Sequence, residues 1–377
     1  MLDQLTHLLD HLSEVVDSER QAGIERRYQS ALDGLPVDRP PLVICGPLPE
    51  DAHFKPFPHR EVFGDPQRML YNELVYAFDT SIALRDCLHD DLPLTVRANF
   101  GTVLIASLFG APAEQIEDNP PWVRHKADAE ITLAAVLDRD PLDFSRGWCP
   151  RVVETMEAYH GILARRPELY ERIRIVLPDL QGPIDNLELI RGSDLFLELA
   201  AQPEEAGAAL EAVATAQIGL ARHLKRLVRE GPHGYCHQHA VMMKGNVLLR
   251  DDSAVMISAR MYRELVAPHD ERVLRELGGG GIHCCGRVDH LVTEFLRLPS
   301  LQGLDLGQPE LNDVDAIYAQ ARGRNVPLIR VTASEEDLLA GRAEERFPTG
   351  VVLVYRAATF EDAKRVSSLL TRNRGFV

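Results

Sequence analysis

Apolar residues near the N-terminus recur at the spacing of one face of an α-helix. These positions are Leu2, Leu5, Leu8, Leu9, Leu12, Val15 and Val16. The pattern predicts an amphipathic helical arm from residue 2 to about residue 30, whose role is packing, and Pro36 closes it. We therefore divide the chain into a helical arm at 1–35 and a second unit at 36–377.

Beyond the arm, eight short apolar runs bounded by turn residues predict β-strands. They lie at 42–45, 94–96, 173–177, 235–239, 281–285, 301–306, 327–331 and 351–355. Amphipathic helical patterns, such as those at 203–229, 259–277 and 314–324, separate most of these runs. Eight strands that alternate with helices predict a TIM (β/α)8 barrel with an N-terminal helical extension. The long interval 100–171 predicts a mainly helical insertion, and a doubly wound open sheet is the structural alternative.

The charge balance limits the kinds of partner that the chain can bind. Its 377 residues carry a formal net charge of −16, which argues against a nucleic-acid backbone or an anionic membrane and favours a small molecule or a protein. No apolar run approaches the roughly 20 residues that span a bilayer. The six cysteines lack the spacing of a disulfide framework, so we expect a reducing, cytoplasmic setting. The acidic pair Asp90-Asp91 is expected to lie on a solvated surface or at the start of a helix.

The most informative stretch is a run of four glycines, Gly278 to Gly281, followed by Ile282-His283-Cys284-Cys285-Gly286. On an extended backbone, His283 and Cys285 leave the same face and can reach one ion, whereas Cys284 points to the opposite face. Imidazole nitrogen and thiolate sulfur favour zinc. The glycines permit a close approach of the backbone. The competing interpretation is that His283 and Cys285 only pack in the core.

A second histidine pair could complete a metal site. His237 and His239 repeat the same-face spacing on the predicted strand before His283. A catalytic zinc needs about three protein ligands and one open position, and neighbouring strands of a barrel can supply them. The alternative is that these histidines hydrogen-bond a polar substrate or cap a helix.

Polar residues also follow other predicted strands, where the loops of a barrel build an active site. Asp305 is a candidate ligand, an anchor for His283 or a proton acceptor, with a turn or helix cap as the alternative. Asp179 is the second candidate for a catalytic carboxylate. The candidates for substrate binding are Arg97, Asn99, Gln181 and Gln308.

Four stretches of the sequence carry a family resemblance. They are His283-Cys284-Cys285-Gly286, Asp179-Leu180-Gln181-Gly182-Pro183 with Gly192 and Leu195-Phe196-Leu197 after it, Asp252-Ser253 through Tyr262-Arg263-Glu264, and Leu306-Gly307-Gln308-Pro309. Together they resemble the uroporphyrinogen decarboxylase superfamily, which also contains cobalamin-dependent methyltransferases, and the resemblance covers most of residues 30–377. The resemblance implies a TIM barrel and, for the methyltransferase branch, a zinc held by a His-x-Cys pair and a distant cysteine near the last strand. His283 and Cys285 match that pair.

The sequence departs from both branches of this superfamily. No cysteine follows Cys285, so the third ligand of the methyltransferase pattern is absent. The candidate substitutes are His237, His239, Cys236 and Asp305. The arginine-rich Met-Arg-Gln-Ala-Gly-Arg-Tyr motif of the decarboxylases is also missing, because Arg20-Gln21-Ala22-Gly23 is followed by Ile24-Glu25 within the amphipathic arm.

The leading hypothesis is a zinc-dependent methyltransferase that acts on a small molecule, with zinc activating a thiol or polarising the methyl donor. A corrinoid, a corrinoid-carrying protein and a second copy of the chain are further candidate partners. The first alternative is a carboxy-lyase that decarboxylates a tetrapyrrole or another polycarboxylate without metal. In that reaction Asp179 or Asp305 would stabilise a protonated pyrrole, and Arg97 would bind a carboxylate. The second alternative is a non-catalytic sensor of a metal or corrinoid that signals through the N-terminal arm.

Overall fold

Parallel strands and helices alternate through the computed structural model, which describes residues 2–125 and 131–374. The strands, in chain order β1 to β12, are Leu42–Cys45, Thr95–Arg97, Ala113–Glu114, Trp122–Val123, Arg174–Val176, Tyr235–Gln238, Val241–Lys244, Leu248–Arg250, Gly280–Cys284, Leu301–Leu306, Leu328–Thr332 and Val351–Arg356. The predicted mixture of strands and helices is therefore confirmed.

The parallel strands form two hydrogen-bonded sheets. A six-stranded sheet has the order β1-β12-β11-β10-β9-β8, and β2 pairs with β5 in a second sheet. Two antiparallel pairs, β3 with β4 and β6 with β7, complete the strand pairing in the described part of the chain. Each of the eight predicted strands is observed as a strand.

One predicted strand has a different partner from the one expected. The run at 235–239 was predicted to be a parallel strand of the barrel, but β6 forms an antiparallel hairpin with β7. His239 and Ala240 form the two-residue turn, with φ values of 48° and 60°. Two left-handed residues in succession match the twist of a hairpin and reverse the chain at once. The parallel strand that pairs with β9 is instead β8, which the sequence analysis missed.

Helices occupy most of the intervals between the strands. In chain order, α1 to α17 are Asp3–Val15, Ser18–Leu32, Pro66–Val75, Leu104–Leu108, Leu133–Leu137, Cys149–Leu163, Pro167–Arg172, Pro183–Arg191, Asp194–Ala201, Pro203–Lys225, Ala259–Met261, Ala267–Leu277, Val292–Phe295, Val314–Gly323, Glu335–Ala340, Arg342–Arg346 and Phe360–Arg374. The interval 100–171 holds α4 to α6, most of α7 and the pair β3 and β4, with residues 126–130 outside the described part. None of the helices in the described ranges is both long and apolar enough to cross a membrane.

The N-terminal arm consists of two helices rather than one. Asp17 separates them, because its side chain accepts hydrogen bonds from the backbone N–H groups of Glu19 and Arg20 and so caps α2. The apolar face of α1 is fully buried in the same hydrophobic cluster as the strands. Its members are Leu5, Leu8, Leu9 and Leu12. The predicted packing role of this segment therefore agrees with its burial.

Asp90 and Asp91 are buried, so the expectation that they are solvated was wrong. The Asp91 carboxylate accepts a hydrogen bond from the backbone N–H of Leu42 at 2.9 Å, and Asp90 accepts one from Ile44 at 2.7 Å. These N–H groups lie on the edge of β1 that has no neighbouring strand in the six-stranded sheet. The two carboxylates therefore satisfy a sheet edge that would otherwise be left unpaired inside the protein.

The β6–β7 hairpin lies between the two parallel sheets, since β6 contacts β5 and β7 contacts β9, β10 and β11. Glycines make room for it. A Cβ atom on Gly281 would lie 2.7 Å from the Met243 side chain, and one on Gly280 would lie 2.2 Å from the Val247 carbonyl oxygen. The glycine run is thus required by the close approach of the hairpin and the chain that follows it.

Buried acids lie behind β8 and β9. Asp270 is fully buried and accepts a hydrogen bond from the Tyr262 hydroxyl at 2.6 Å. Burial raises the pKa of Asp270 to about 7, although the bond from Tyr262 acts in the opposite direction. Asp251 is also fully buried, and neither of its carboxylate oxygens has a hydrogen-bond partner in the described residues. Burial likewise raises the pKa of Asp251.

We predict that the Asp270→Asn variant gains stability relative to the wild type as the pH rises from about 4 to about 7. The folded protein holds the Asp270 proton over this range, while the unfolded chain releases it near its ordinary pKa of 3.8, so folding loses stability as the pH rises. Asparagine does not titrate. Melting temperatures across this range should show a difference between the two proteins that grows with pH by several degrees. The half-exposed Asp289→Asn variant is the control, and a pH-independent difference for Asp270→Asn would contradict the prediction.

Candidate functional site

His283 is the centre of a polar cluster at the carboxyl end of β9. Its Nδ1 lies 2.9 Å from Asp305 Oδ2, and its Nε2 lies 3.3 Å from Cys285 Sγ and 3.5 Å from Asp252 Oδ1. The pairing of parallel strands explains this arrangement, since His283 is level with Asp305 on β10 and with Arg250 on β8. The predicted His283 and Cys285 pair is therefore brought together, and Asp305 is beside it.

Asp252 is the third residue with a donor atom near His283 Nε2. Its Oδ1 accepts a hydrogen bond from the backbone N–H of Cys285 at 2.7 Å. The carboxylate of Asp185 in turn accepts hydrogen bonds from the backbone N–H groups of Asp252 and Ser253 at 3.0 and 2.7 Å. The loop after β8 is thus fixed on both sides. The donor atoms of Asp252, His283 and Cys285 all lie within 4.8 Å of one another.

His239 reaches the same cluster from the tip of the hairpin. Its Nδ1 lies 3.2 Å from Asp305 Oδ2, and its Nε2 accepts a hydrogen bond from Arg250 Nε at 2.9 Å. Because arginine can only donate, the proton of the neutral His239 ring is on Nδ1 and faces Asp305. Burial, followed by the charge of Arg250, holds the pKa of His239 well below its usual range.

The two histidines meet at one carboxylate. Asp305 is fully buried, and its Oδ2 is shared by both rings, while its Oδ1 has no hydrogen-bond partner in the described residues. Burial acts to raise the pKa of Asp305, but the charge of Arg330 and the bonds from the histidines outweigh it and hold that pKa well below its usual range. A second group of possible ligands, His239, His283 and Asp305, therefore has its donor atoms engaged with one another.

Asp179 and Gln181 lie further inside, where Arg250 joins them to the cluster. Arg250 Nη1 donates to Asp179 Oδ1 at 2.7 Å and Nη2 donates to Gln238 Oε1 at 3.1 Å. Gln181 donates to the same Asp179 oxygen through its backbone and its side chain, at 3.0 and 2.7 Å. Although burial acts to raise it, the pKa of Asp179 is lowered by Arg250 and then by Arg97. Asp179 is therefore a paired, ionised carboxylate.

Arg97 lines a small space on the other side of His239, and Asn99 is hydrogen-bonded to it. Arg97 Nη2 donates to Asn99 Oδ1 at 3.1 Å, and Nη1 lies 3.6 Å from Asp179 Oδ2. The Phe78 ring separates this arginine from the cluster, with its centre 4.3 Å from the guanidinium and 5.1 Å from the His239 ring. Arg97 Nε and Nη1 are buried without a hydrogen-bond partner in the described residues, so they have donors to offer to a ligand.

Two predicted residues lie outside this group. Gln308 is exposed, and its side-chain oxygen accepts a hydrogen bond from the backbone N–H of Gly286 at 2.9 Å, which fixes the loop after Cys285. His237 does not come near His283. Its Nδ1 lies 2.6 Å from Glu230 Oε2, and its ring lines a pocket beside α2. The expected shared face with His239 is lost because His239 belongs to the left-handed turn rather than to the strand.

The sequence analysis missed Arg250 and Asp252 as members of the site. Both depend on β8, which was not predicted because the hairpin took its place in the strand count. A signal was present, since Val247-Leu248-Leu249 is a short apolar run followed by polar residues.

The arrangement supports two kinds of chemistry. Imidazole nitrogen, thiol sulfur and carboxylate oxygen in one group form a donor set typical of a zinc site with an open position. Without metal, the same atoms form a thiol, imidazole and carboxylate in series. Burial acts to lower the pKa of His283, but Asp305, Cys285 and Asp252 together raise it to about 10, so the metal-free ring carries a positive charge beside the thiol.

Comparison with known proteins identifies a solved structure with a similar fold. No family model matches the chain, and no curated protein sequence matches it. Among solved structures, a methyltransferase from Methanosarcina mazei is similar, with a TM-score of 0.62 and 14% sequence identity. The similarity covers 94% of this chain and 98% of that structure. The chain therefore has, over nearly its whole length, the α/β architecture of a solved methyltransferase.

Proposed function

We propose that the chain is a zinc-dependent methyl-group transferase whose ion is bound by His283 Nε2, Cys285 Sγ and Asp252 Oδ1. The observation that carries this proposal is the mutual approach of these three donor atoms within 4.8 Å. Asp252 then takes the place of the cysteine that the resemblance to the methyltransferases leads one to expect and the sequence lacks. Three ligands from protein leave the fourth position of a tetrahedral site for substrate.

The surrounding residues orient the ligands. Asp305 accepts the Nδ1 proton of His283, so the lone pair of Nε2 faces Cys285 and Asp252, as in many carboxylate–histidine–zinc groups. His239 donates to the same carboxylate, and Arg250 holds the His239 ring in the tautomer that can do so. The side chains of Asp305, His239 and Arg250 are largely buried, whereas 43% of the Asp252 side chain is exposed. Substrate would therefore approach from the Asp252 and Cys285 side.

A zinc ion in this position would lower the pKa of a bound substrate thiol, which could then attack a methyl group near neutral pH. Cys285 and Asp252 would hold the open face toward the substrate, and the packed rings of His239 and Phe78 would limit water on the inner side. Arg97, Asn99 and Gln181 remain candidates for contacts with the substrate. Oδ1 of Asp179 already accepts hydrogen bonds from Arg250 and Gln181, so we assign Asp179 an orienting role.

The proposal includes a barrel architecture and a corrinoid. The eight parallel strands of the two sheets would then form one open (β/α)8 barrel, with the site at the carboxyl ends of β8, β9 and β10. The similarity to a solved methyltransferase supports methyl transfer, and a corrinoid or a corrinoid protein is the methyl source suggested by the sequence resemblance. A cytoplasmic location and a homodimer stay predictions from the sequence.

A second candidate function is favoured by one observation. Cys285 Sγ, His283 and Asp305 are in series, at 3.3 and 2.9 Å, which is the order of a nucleophile, a positively charged imidazolium beside it and an orienting carboxylate. Without metal, Cys285 would form a covalent intermediate with an electrophilic substrate. For the decarboxylase alternative, Arg250 and Gln181 occupy Oδ1 of Asp179, so that only Oδ2 would be left for a pyrrole. The sensor alternative would require the protein to bind a metal without catalysing a reaction.

We predict that the purified protein binds about one zinc per chain and that Cys285→Ala and His283→Ala abolish this binding. Asp252→Asn should weaken zinc binding by about 100-fold, because an amide oxygen carries no charge for the ion. Metal analysis and chelator competition measure both effects. Asp289→Asn, an exposed carboxylate on the loop after Cys285, is the matched control. Undiminished zinc in the Cys285→Ala variant would contradict the proposed ligand set and leave the metal-free nucleophile as the better explanation.

We predict that Asp305→Asn weakens zinc binding by about 10-fold to 100-fold without abolishing it. Asparagine keeps the volume of the buried side chain but cannot accept charge-assisted bonds from both histidines, so His283 loses its fixed tautomer. Competition with a chelator of known affinity gives the change. An Asp305→Asn protein with wild-type affinity would show that the carboxylate does not support the site.

We predict methyl transfer from methylcobalamin to a small thiol when zinc is bound, and loss of that transfer in Cys285→Ala. The loss of methylcobalamin absorbance and the mass of the methylated thiol measure the reaction. Incubation with uroporphyrinogen is the parallel assay. Formation of coproporphyrinogen at enzymatic rates, with no methyl transfer to any thiol tested, would overturn the proposal in favour of a carboxy-lyase.

A further inference from the structure

Arg330 occupies an irregular position in the middle of β11. The pairing of β11 with β12 shifts between Leu328 and Val331, so that three residues on one strand span two on the other. Arg330 lies at this bulge with a φ of 62°, a left-handed conformation that costs a non-glycine residue roughly 1 kcal/mol or more. Bulges of this kind redirect a side chain and are frequent beside functional sites.

The bulge turns the guanidinium of Arg330 toward the site, where it has few partners. Its Nε lies 3.9 Å from Asp305 Oδ1, which is an ion-pair distance and too long for a hydrogen bond. Among the residues that the structure describes, Arg330 donates no hydrogen bond to any acceptor. About 15% of its side chain is exposed, and none of its nitrogen atoms is among the fully buried atoms without a partner, so its donors are accessible to solvent. An accessible guanidinium without a bonded acceptor can bind an anionic ligand directly.

Nearby carboxylates do not supply that partner. Asp305 Oδ2 is already shared by His239 and His283, and only the more distant Oδ1 faces Arg330. Cys45, at the end of β1, is neutral because burial raises its pKa to about 12. Arg250 differs from Arg330, since it makes three hydrogen bonds. Arg97 also has unbonded donors, but the Phe78 ring stands between it and the His239 side of the cluster.

We infer that Arg330 binds the carboxylate of a substrate whose reacting end lies at Cys285, so that the site selects small anionic substrates. Guanidinium presents its donors in a fork that fits the two oxygens of a carboxylate. Asp305 and His283 lie between Arg330 and Cys285. The substrate must therefore be long enough to reach from Arg330 to Cys285. This inference rests on the proposed function only in placing the chemistry at Cys285.

Alkylation of Cys285 tests the inference without metal. The chelator-treated protein is reacted with iodoacetate and with 4-bromobutyrate, and each acid is compared with its own amide. The rate at Cys285 is read by mass spectrometry of its peptide. Because the same sulfur attacks the acid and the amide and displaces the same halide from each, their rate ratio reports the charge that the reagent meets and cancels changes in the thiol.

We expect Arg330→Gln to lower the acid-to-amide ratio about threefold or more for at least the longer reagent, while Arg330→Lys keeps part of it. Arg287→Gln is the matched control, because Arg287 follows Cys285 by two residues but its side chain is 77% exposed. If Arg330→Gln folds poorly, Arg330→Gly removes the charge and suits the left-handed backbone. If the acid-to-amide rate ratio is the same in the wild type and in Arg330→Gln for both the short and the long reagent, the inference is overturned.

Zinc content separates this inference from the proposed function. Arg330→Gln should bind as much zinc as the wild type, since Arg330 is not a ligand. A wild-type protein that binds no zinc but shows the charge preference at Cys285 would refute the zinc proposal and keep the inference. Loss of zinc in Arg330→Gln, with an unchanged rate ratio, would assign Arg330 to the support of Asp305 and overturn it as a substrate contact.

Discussion

The site depends on one buried charge, the carboxylate of Asp305. A carboxylate with no solvent contact is stable only when hydrogen-bonded and paired, so the groups around it are constrained by its need for partners. His283 comes from the neighbouring strand at the same register, and His239 comes from the hairpin tip. One oxygen thus fixes the orientation of two rings from different elements. The hydrogen bond between His283 Nδ1 and Asp305 therefore determines that His283 Nε2 faces Cys285 and Asp252.

The hairpin imposes a second constraint, on packing. β6 and β7 lie between the parallel sheets, so the strands that face them need small residues. Gly281 meets this need directly at Met243, and Gly280 makes room for Val247, which follows the hairpin. The glycine run and the His283 and Cys285 pair are therefore adjacent because of the packing of the hairpin. The run admits the hairpin, and the hairpin brings His239 to the residues that follow the run.

The sequence predicted the elements better than their arrangement. Strand positions follow from short apolar runs, and the His283 and Cys285 pair follows from the two-residue period of a strand. The partner of a strand does not follow from such a run. Tyr235–Gln238 looks like any buried strand, and only the left-handed turn at His239 and Ala240 makes it antiparallel. Asp90 and Asp91 show the same limit, since their burial depends on the bare edge of β1.

Backbone strain gives an independent indication of where the function lies. Phe78, Gln181, His239 and Arg330 all have positive φ values although none is glycine or asparagine. Each of them touches the network around Asp305 or Asp179, and each conformation costs roughly 1 kcal/mol or more. Glycine would fit these positions with less strain, but it would remove the ring, amide or guanidinium that makes the contact. The hairpin turn accounts for the left-handed backbone at His239, whereas at Phe78, Gln181 and Arg330 the strain coincides with a side-chain contact to Arg97, Asp179 or Asp305.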